Sequence, residues 1–347
     1  PVRARSLPPL FLMENFKDKH YYNLDLLRGL SGYGVAVCHF YAFLHDNKEL
    51  EFLSFLFVEF FFVLSGYVLY PQLISVLKNS KNLLIFYKRR WLRTIPLYVI
   101  TLIMVSIIFE KTFSIDFFKY LIFIQNISPD FLNKNYYPIV WSLSIEEFFY
   151  LTFPLILIYF NKENFFKNIV LLLILFTIIK LIAINFFDSN FARTGTFFRF
   201  DAIYIGFLAR HLYEKINSKY FLFSILIISL FILFKSELYI LENKEIYLIK
   251  TLFVYFLQFI SVVTLYFFIS IEGYFNYSLF KNFFTLISRQ TYSVYLIHMI
   301  FIYIFQKLEM SYSLEFLFYL FFLACFSTFL YYFVEKPILK IRPKLLK

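Results

Sequence analysis

Stretches of about twenty predominantly apolar residues recur along this chain from residue 24 to residue 335, separated only by short polar breaks. A helix of that length crosses the hydrocarbon core of a bilayer. In lipid, backbone polar groups have no water to bond to, so helices and closed barrels are the structures that span, and barrel strands are about half as long. The pattern therefore predicts an all-α integral membrane protein, a single bundle with little chain left for a separate soluble domain. With 61% of residues hydrophobic and 16% charged, the composition agrees.

Spans are expected near 24–44, 52–77, 94–110, 141–160, 168–187, 197–210, 220–234, 251–271, 288–306 and 315–335, ten in all. The stretch 116–127 is apolar but short, and is read as a re-entrant or interfacial segment. With the N-terminus in the cytoplasm, the breaks on that side carry 20 Lys and Arg against 10 on the other. Positive charge collects on the cytoplasmic side of membrane proteins, so both termini are expected inside. The formal charge of +11 is then explained by orientation and anionic lipid, not by nucleic acid. Residues 1–12, ahead of Met13, show no helical pattern continuing into the first span and are read as a remnant outside the fold; the domain is expected to run over 13–347. Cys38 and Cys325 both lie in apolar stretches and offer neither a disulfide framework nor metal-ligand spacing, so no metal is expected.

Ionisable residues inside such spans each cost on the order of 2.5–3.5 kcal/mol on insertion scales and mark functional sites. The first span reads LDLLRGLSGYGVAVCHF, and Arg28 and His39 are 11 positions apart. That is slightly more than three helical turns, so the two share a face, separated by roughly 16 Å along the axis. Taken alone, His39 would be a polar residue satisfied by a neighbouring helix. It has company: Glu59 in the second span, Glu146 and Glu147 in the fourth, Arg199 and Asp201 in the sixth, and His298 in the ninth. So many buried charges predict a polar, enclosed cavity. Arg89, Arg90 and Arg93 collect at the cytoplasmic start of the third span. They serve orientation, or they form a phosphate clamp, since guanidinium forks bind phosphate bidentately. Lys180, near the outer end of its span, is expected to snorkel and is given no role.

Several phrases together resemble the acyltransferase-3 family of bacterial membrane acyltransferases, over about residues 23–340. Arg28 and His39 match the family's arginine-x10-histidine motif, preceded by the acidic Asp25; EFFFVLSGY at 59–67, with Ser65, matches its SGF phrase; Arg90 and Arg93 match RxxR. WSLSIEEFFYL supplies Trp141, Ser142 and Glu146, FRFDA supplies Arg199 and Asp201, YLIH supplies Tyr295 and His298, and EKP supplies Glu335 and Pro337.

The resemblance implies an enzyme of the bacterial cytoplasmic membrane that passes an acyl group, usually acetyl from acetyl-CoA, to a hydroxyl of a cell-surface or exported glycan. Lipopolysaccharide, capsule, exopolysaccharide, peptidoglycan and a small secreted glycoside all fit as acceptor. In these terms Arg28, Arg90, Arg93 and Ser65 face the donor, and Trp141, Arg199, Asp201 and His298 face the acceptor. His39 acts as general base or as acyl-carrying nucleophile, oriented by Glu59, Asp25 or Glu146. The chain runs 12 residues past Glu335, so a stand-alone form without a C-terminal extracytoplasmic domain is expected. A transporter or flippase for a lipid-linked glycan is the competing class, since polar residues in a bundle also line transport paths. No internal repeat supports it.

Overall fold

The structure is a computed structural model that describes residues 20–346 apart from 161–163, 188, 214–217, 243–246, 275–276 and 309–311. The segment 1–12, read as a remnant, lies outside the described residues. Thirteen α-helices and no strand are found among the described residues: α1 Tyr22–His45, α2 Lys48–Lys78, α3 Asn82–Ile108, α4 Ile115–Leu121, α5 Trp141–Ile158, α6 Phe165–Ala183, α7 Ser189–Thr194, α8 Phe200–Leu212, α9 Lys219–Glu242, α10 Tyr247–Ser270, α11 Ser278–Phe305, α12 Tyr312–Leu330 and α13 Lys336–Lys340. Among these residues, six helices are long and apolar enough to cross a membrane: Lys48–Lys78, Asn82–Ile108, Pro138–Ile158, Phe165–Ala183, Leu248–Ser270 and Leu314–Lys340. They coincide with six of the ten expected spans. The segment read as re-entrant contains α4, whose seven residues reach only about 10 Å.

Helices α1 and α11 have 24 and 28 residues but carry several of the polar residues of the site, and they pack against each other along their length. The glycines of α1 make this possible. A Cβ on Gly29 would lie 2.4 Å from Ile287 Cγ1, and one on Gly32 would lie 2.8 Å from Thr291 Cγ2. The α11 backbone therefore comes close enough for Thr291 Oγ1 to donate to the Arg28 carbonyl at 3.3 Å. This close packing of small residues is typical of helix pairs in membranes, where no hydrophobic force drives association.

A second close crossing joins α2 to α8. A Cβ on Gly66 would sit 2.1 Å from the Ile203 carbonyl oxygen, and one on Gly206 would sit 2.1 Å from that of Val63. Helices α6 and α12 lie at the margin, turning Ile174, Ile178, Phe318 and Phe321 outward, as apolar side chains facing lipid would be.

Between α3 and α5 the chain folds into a compact cap. Asp116 accepts from the backbone N–H of Asn133 (3.0 Å) and Lys134 (2.9 Å). Tyr98 donates to the Tyr120 carbonyl at 2.8 Å, and Tyr137 reaches across to the Leu296 carbonyl on α11 at 2.8 Å. That bond braces α11 between Tyr295 and His298. At the other end, α12 leads into a π-helical turn over Tyr331–Glu335, a local widening that recurs at functional sites. It brings Tyr331 and Glu335 to the wall of the cavity described next.

Candidate active site

Helices α1, α2, α3, α5 and α11 enclose a cavity of about 340 Å³. Six residues anticipated from sequence converge on it: Asp25, Arg28, Ser65, Arg90, Arg93 and Glu146. Each is set by its helix. The Gly66 crossing holds α2 hard against α8, and the neighbouring Ser65 donates to Glu146 Oε1 on α5 at 2.7 Å. Tyr150, one turn along α5, donates to Glu146 Oε2 at 3.0 Å. At the start of α1, Asp25 Oδ1 accepts from Ser288 of α11 at 2.9 Å and lies 3.4 Å from Arg28 Nη1, while Arg28 also donates to Ser288 at 3.3 Å.

On α3, aromatic rings hold Arg90. Arg90 is buried, its guanidinium 5.7 Å from the Phe86 ring centre and 5.6 Å from that of Tyr150. Its Nε is buried with no hydrogen-bond partner among the described residues. Aromatic faces support a guanidinium from the side and leave its edge free for bidentate bonding to an anion. Arg289 and Glu335 also line this cavity; the sequence reading gave neither a role.

His39 is not among the residues lining the cavity. Its Nδ1 lies 2.9 Å from His298 Nε2, and His298 Nδ1 lies 2.7 Å from the Tyr295 carbonyl oxygen and 3.2 Å from that of Val294. The bonding pattern assigns the protons. A carbonyl only accepts, so His298 Nδ1 carries hydrogen; neutral His298 then accepts at Nε2, and His39 donates from Nδ1. A neutral His39 is left with its lone pair on Nε2. The arrangement resembles a catalytic dyad, with an imidazole in place of the carboxylate that usually sets the tautomer. None of the three carboxylates expected to orient His39 is bonded to it: Asp25 and Glu146 have the partners given above, and Glu59 is paired elsewhere.

Tyr295 belongs to both places. Its ring lines the cavity and lies 5.9 Å from the His298 ring, while its hydroxyl accepts from Ser142 at 2.7 Å and donates to the Ile139 carbonyl. Trp141 lies outside the cavity, with its ring centre 5.1 Å from the Arg193 guanidinium, which also covers Phe55 at 3.9 Å. Burial, followed by the charge of Arg199, holds the Arg193 pKa down at about 10, and its charge acts on the His39 ring.

Glu59, Arg199 and Asp201 form a separate cluster. Arg199, fully buried, pairs with Glu59; Lys180, 1% exposed, pairs with Asp201, which Gln258 approaches at 3.4 Å. Lys180 therefore does not snorkel outward but closes a buried quartet, its ammonium 4.7 Å from the Tyr255 ring centre. Charge balance held the signal: Glu59, Arg199 and Asp201 leave one negative charge over, and in hydrocarbon that demands a cation from a neighbouring helix. No group of three or more His, Cys, Asp or Glu able to hold a metal occurs among the described residues.

Comparison with known proteins gives this arrangement its context. The O-acetyltransferase OatA of Staphylococcus aureus is 30% identical over an alignment covering 56% of this chain and 35% of its own length. The peptidoglycan O-acetyltransferase OatA of Listeria monocytogenes is 31% identical, covering 42% of this chain and 26% of its own. A Haemophilus influenzae protein of undescribed function is 28% identical over 39% of this chain and 62% of its own length. The chain thus spans between about a quarter and a third of the length of the OatA proteins it matches. No solved structure matches. The family model of the acyltransferase-3 type, described as an acyltransferase domain, matches residues 21–335, and the chain belongs to that family.

Proposed function

We propose that the protein is a membrane-embedded O-acyltransferase that moves an acyl group, acetyl by preference, from cytosolic acyl-CoA to a glycan hydroxyl. The observation that carries the reading is the His39–His298–Tyr295 chain of bonds, because it leaves one imidazole nitrogen as a positioned base. The neighbouring cavity supports the donor assignment. Arg28, Arg90 and Arg93 line it, and a long, narrow donor with phosphates at one end and a thioester at the other suits the roughly 16 Å that separate Arg28 from His39 along the helix. Glycan as acceptor follows the Listeria monocytogenes relative, which is named for peptidoglycan.

The chemistry balances without a metal. His39 Nε2 takes the proton of the acceptor hydroxyl as its oxygen attacks the thioester carbonyl. The tetrahedral intermediate then expels the thiolate, and the C–S bond breaks as the ester forms. The imidazolium returns its proton to the thiolate, giving free thiol and neutral His39. His298 holds the ring throughout.

The test is purified protein in nanodiscs with radiolabelled acetyl-CoA and peptidoglycan fragments. Wild type is expected to transfer label to the glycan, and His39→Ala to lose transfer by on the order of 10²-fold or more. Equal transfer by His39→Ala would overturn the mechanism.

A further inference from the structure

Beyond Leu339, which lines the cavity, a strap of chain builds a second cationic site. Residues 341–346 fold back on the start of α3: Leu346 N–H donates to Asn82 Oδ1 at 2.8 Å, Asn82 Nδ2 donates to the Leu346 carbonyl at 3.0 Å, and Arg89 Nη1 donates to the Pro343 carbonyl at 2.6 Å. A two-way amide pairing of this kind fixes the strap in one register. It sets Arg342 where the charges acting on it are Arg89, Arg93 and Arg90, all positive; burial first, and then these charges, push its pKa down to about 10. The Nε atoms of Arg89 and Arg342 are buried without a hydrogen-bond partner among the described residues. Such orphaned donors on like-charged groups are costly unless a ligand meets them.

The inner arginines differ. Arg28 and Arg90 feel the charge of Glu146, and Arg93 acts on Glu335, whereas among the described residues the charges acting on Arg342 are those of arginines. The outer pair therefore presents the greater uncompensated charge. We propose that Arg342 and Arg89 form a second anion subsite that takes a phosphomonoester carried by the donor apart from its thioester arm. A phosphomonoester is close to a dianion at neutral pH, while each phosphate of a diester linkage carries one charge, so the more cationic subsite suits the monoester. The inference rests on the acyl-CoA reading of the cavity. A lipid phosphomonoester at the cytoplasmic surface offers the same chemistry, and the experiment separates the two.

The purified protein in phosphatidylcholine nanodiscs is titrated with acetyl-CoA and with acetyl-3′-dephospho-CoA. Wild type is expected to prefer acetyl-CoA by about tenfold. Arg342→Gln and Arg89→Gln bring that ratio towards one while still binding the dephospho compound. An unchanged ratio in Arg342→Gln overturns the subsite and leaves the acyl-CoA reading intact. Binding of neither compound by wild type overturns the acyl-CoA reading. If Arg342→Gln melts early without ligand, Arg342→Lys, which keeps the charge but loses the fork, serves instead and is expected to reduce the preference. A parallel series contains phosphatidic acid: an Arg342-dependent rise in melting temperature there, with the donor ratio unmoved, assigns the site to lipid and overturns the proposal.

Discussion

His39 Nδ1 and His298 Nε2 lie 2.9 Å apart, joining α1 to α11 at the level where Tyr137 braces α11 through the Leu296 carbonyl. Because His298 is itself anchored to the Tyr295 carbonyl, its role in the proposed mechanism is to hold His39 in one tautomer. His298→Ala is accordingly expected to lower kcat on the order of 10²-fold while leaving the KM for acetyl-CoA near its wild-type value. A matching rise in KM would place His298 in donor binding instead.

The quartet Glu59, Arg199, Lys180 and Asp201 predicts a different signature. Lys180→Met removes the ammonium paired with the buried Asp201 carboxylate, and breaking one partner of a buried pair costs about 3–5 kcal/mol. A large drop in melting temperature is expected, partly reversed in the Lys180→Met, Asp201→Asn double variant. Double-variant stability no better than that of Lys180→Met would show that the two charges do not compensate each other.

Much of this was legible in the sequence, and what was not has physical causes. Asp25, Arg28, Ser65, Arg90, Arg93 and Glu146 line one cavity, and each was legible as an ionisable or motif residue inside an apolar span or at its start. The partner of His39 was not legible, because a helix pattern shows which face a residue occupies but not which neighbour meets it. The three carboxylates proposed for that role are bonded elsewhere, while His298, read as facing the acceptor, stands 259 positions away in sequence. Lys180 was misread because its height in the span suggested snorkelling, whereas the buried Asp201 draws it inward. Arg342 carried no signal, since a lone arginine beyond a closing phrase looks like an orientation charge.

The crossing at Gly66 predicts that Gly66→Ala moves the α2 backbone, because the new Cβ would meet a carbonyl oxygen and not a flexible side chain. Overpacking of this kind costs about 1–3 kcal/mol. Turnover is expected to fall as well, as the Ser65–Glu146 bond is displaced. A variant with lower melting temperature but wild-type kcat would separate the crossing from the site.

Asp116 ties down the cap between α3 and α5. Burial alone would raise its pKa, but the backbone N–H groups of Asn133 and Lys134 and the Lys119 ammonium outweigh it and hold it below the usual carboxylate value. A depressed folded pKa gives stability that is fully present above the unfolded value and lost as pH falls through the folded one. Asp116→Asn is therefore expected to lower the melting temperature at pH 7, with the gap to wild type narrowing below about pH 4. A gap constant down to about pH 3 would contradict the role of the ionised carboxylate.

The central claim is that His39 and His298 act as one unit, and kcat for His39→Ala, His298→Ala and the double variant measures this most directly. Groups acting as a unit are non-additive. The account predicts that the double variant is about as slow as His39→Ala alone, since His298 has nothing left to orient. Multiplicative losses, with the double variant slower than His39→Ala by the full His298→Ala factor, would contradict it.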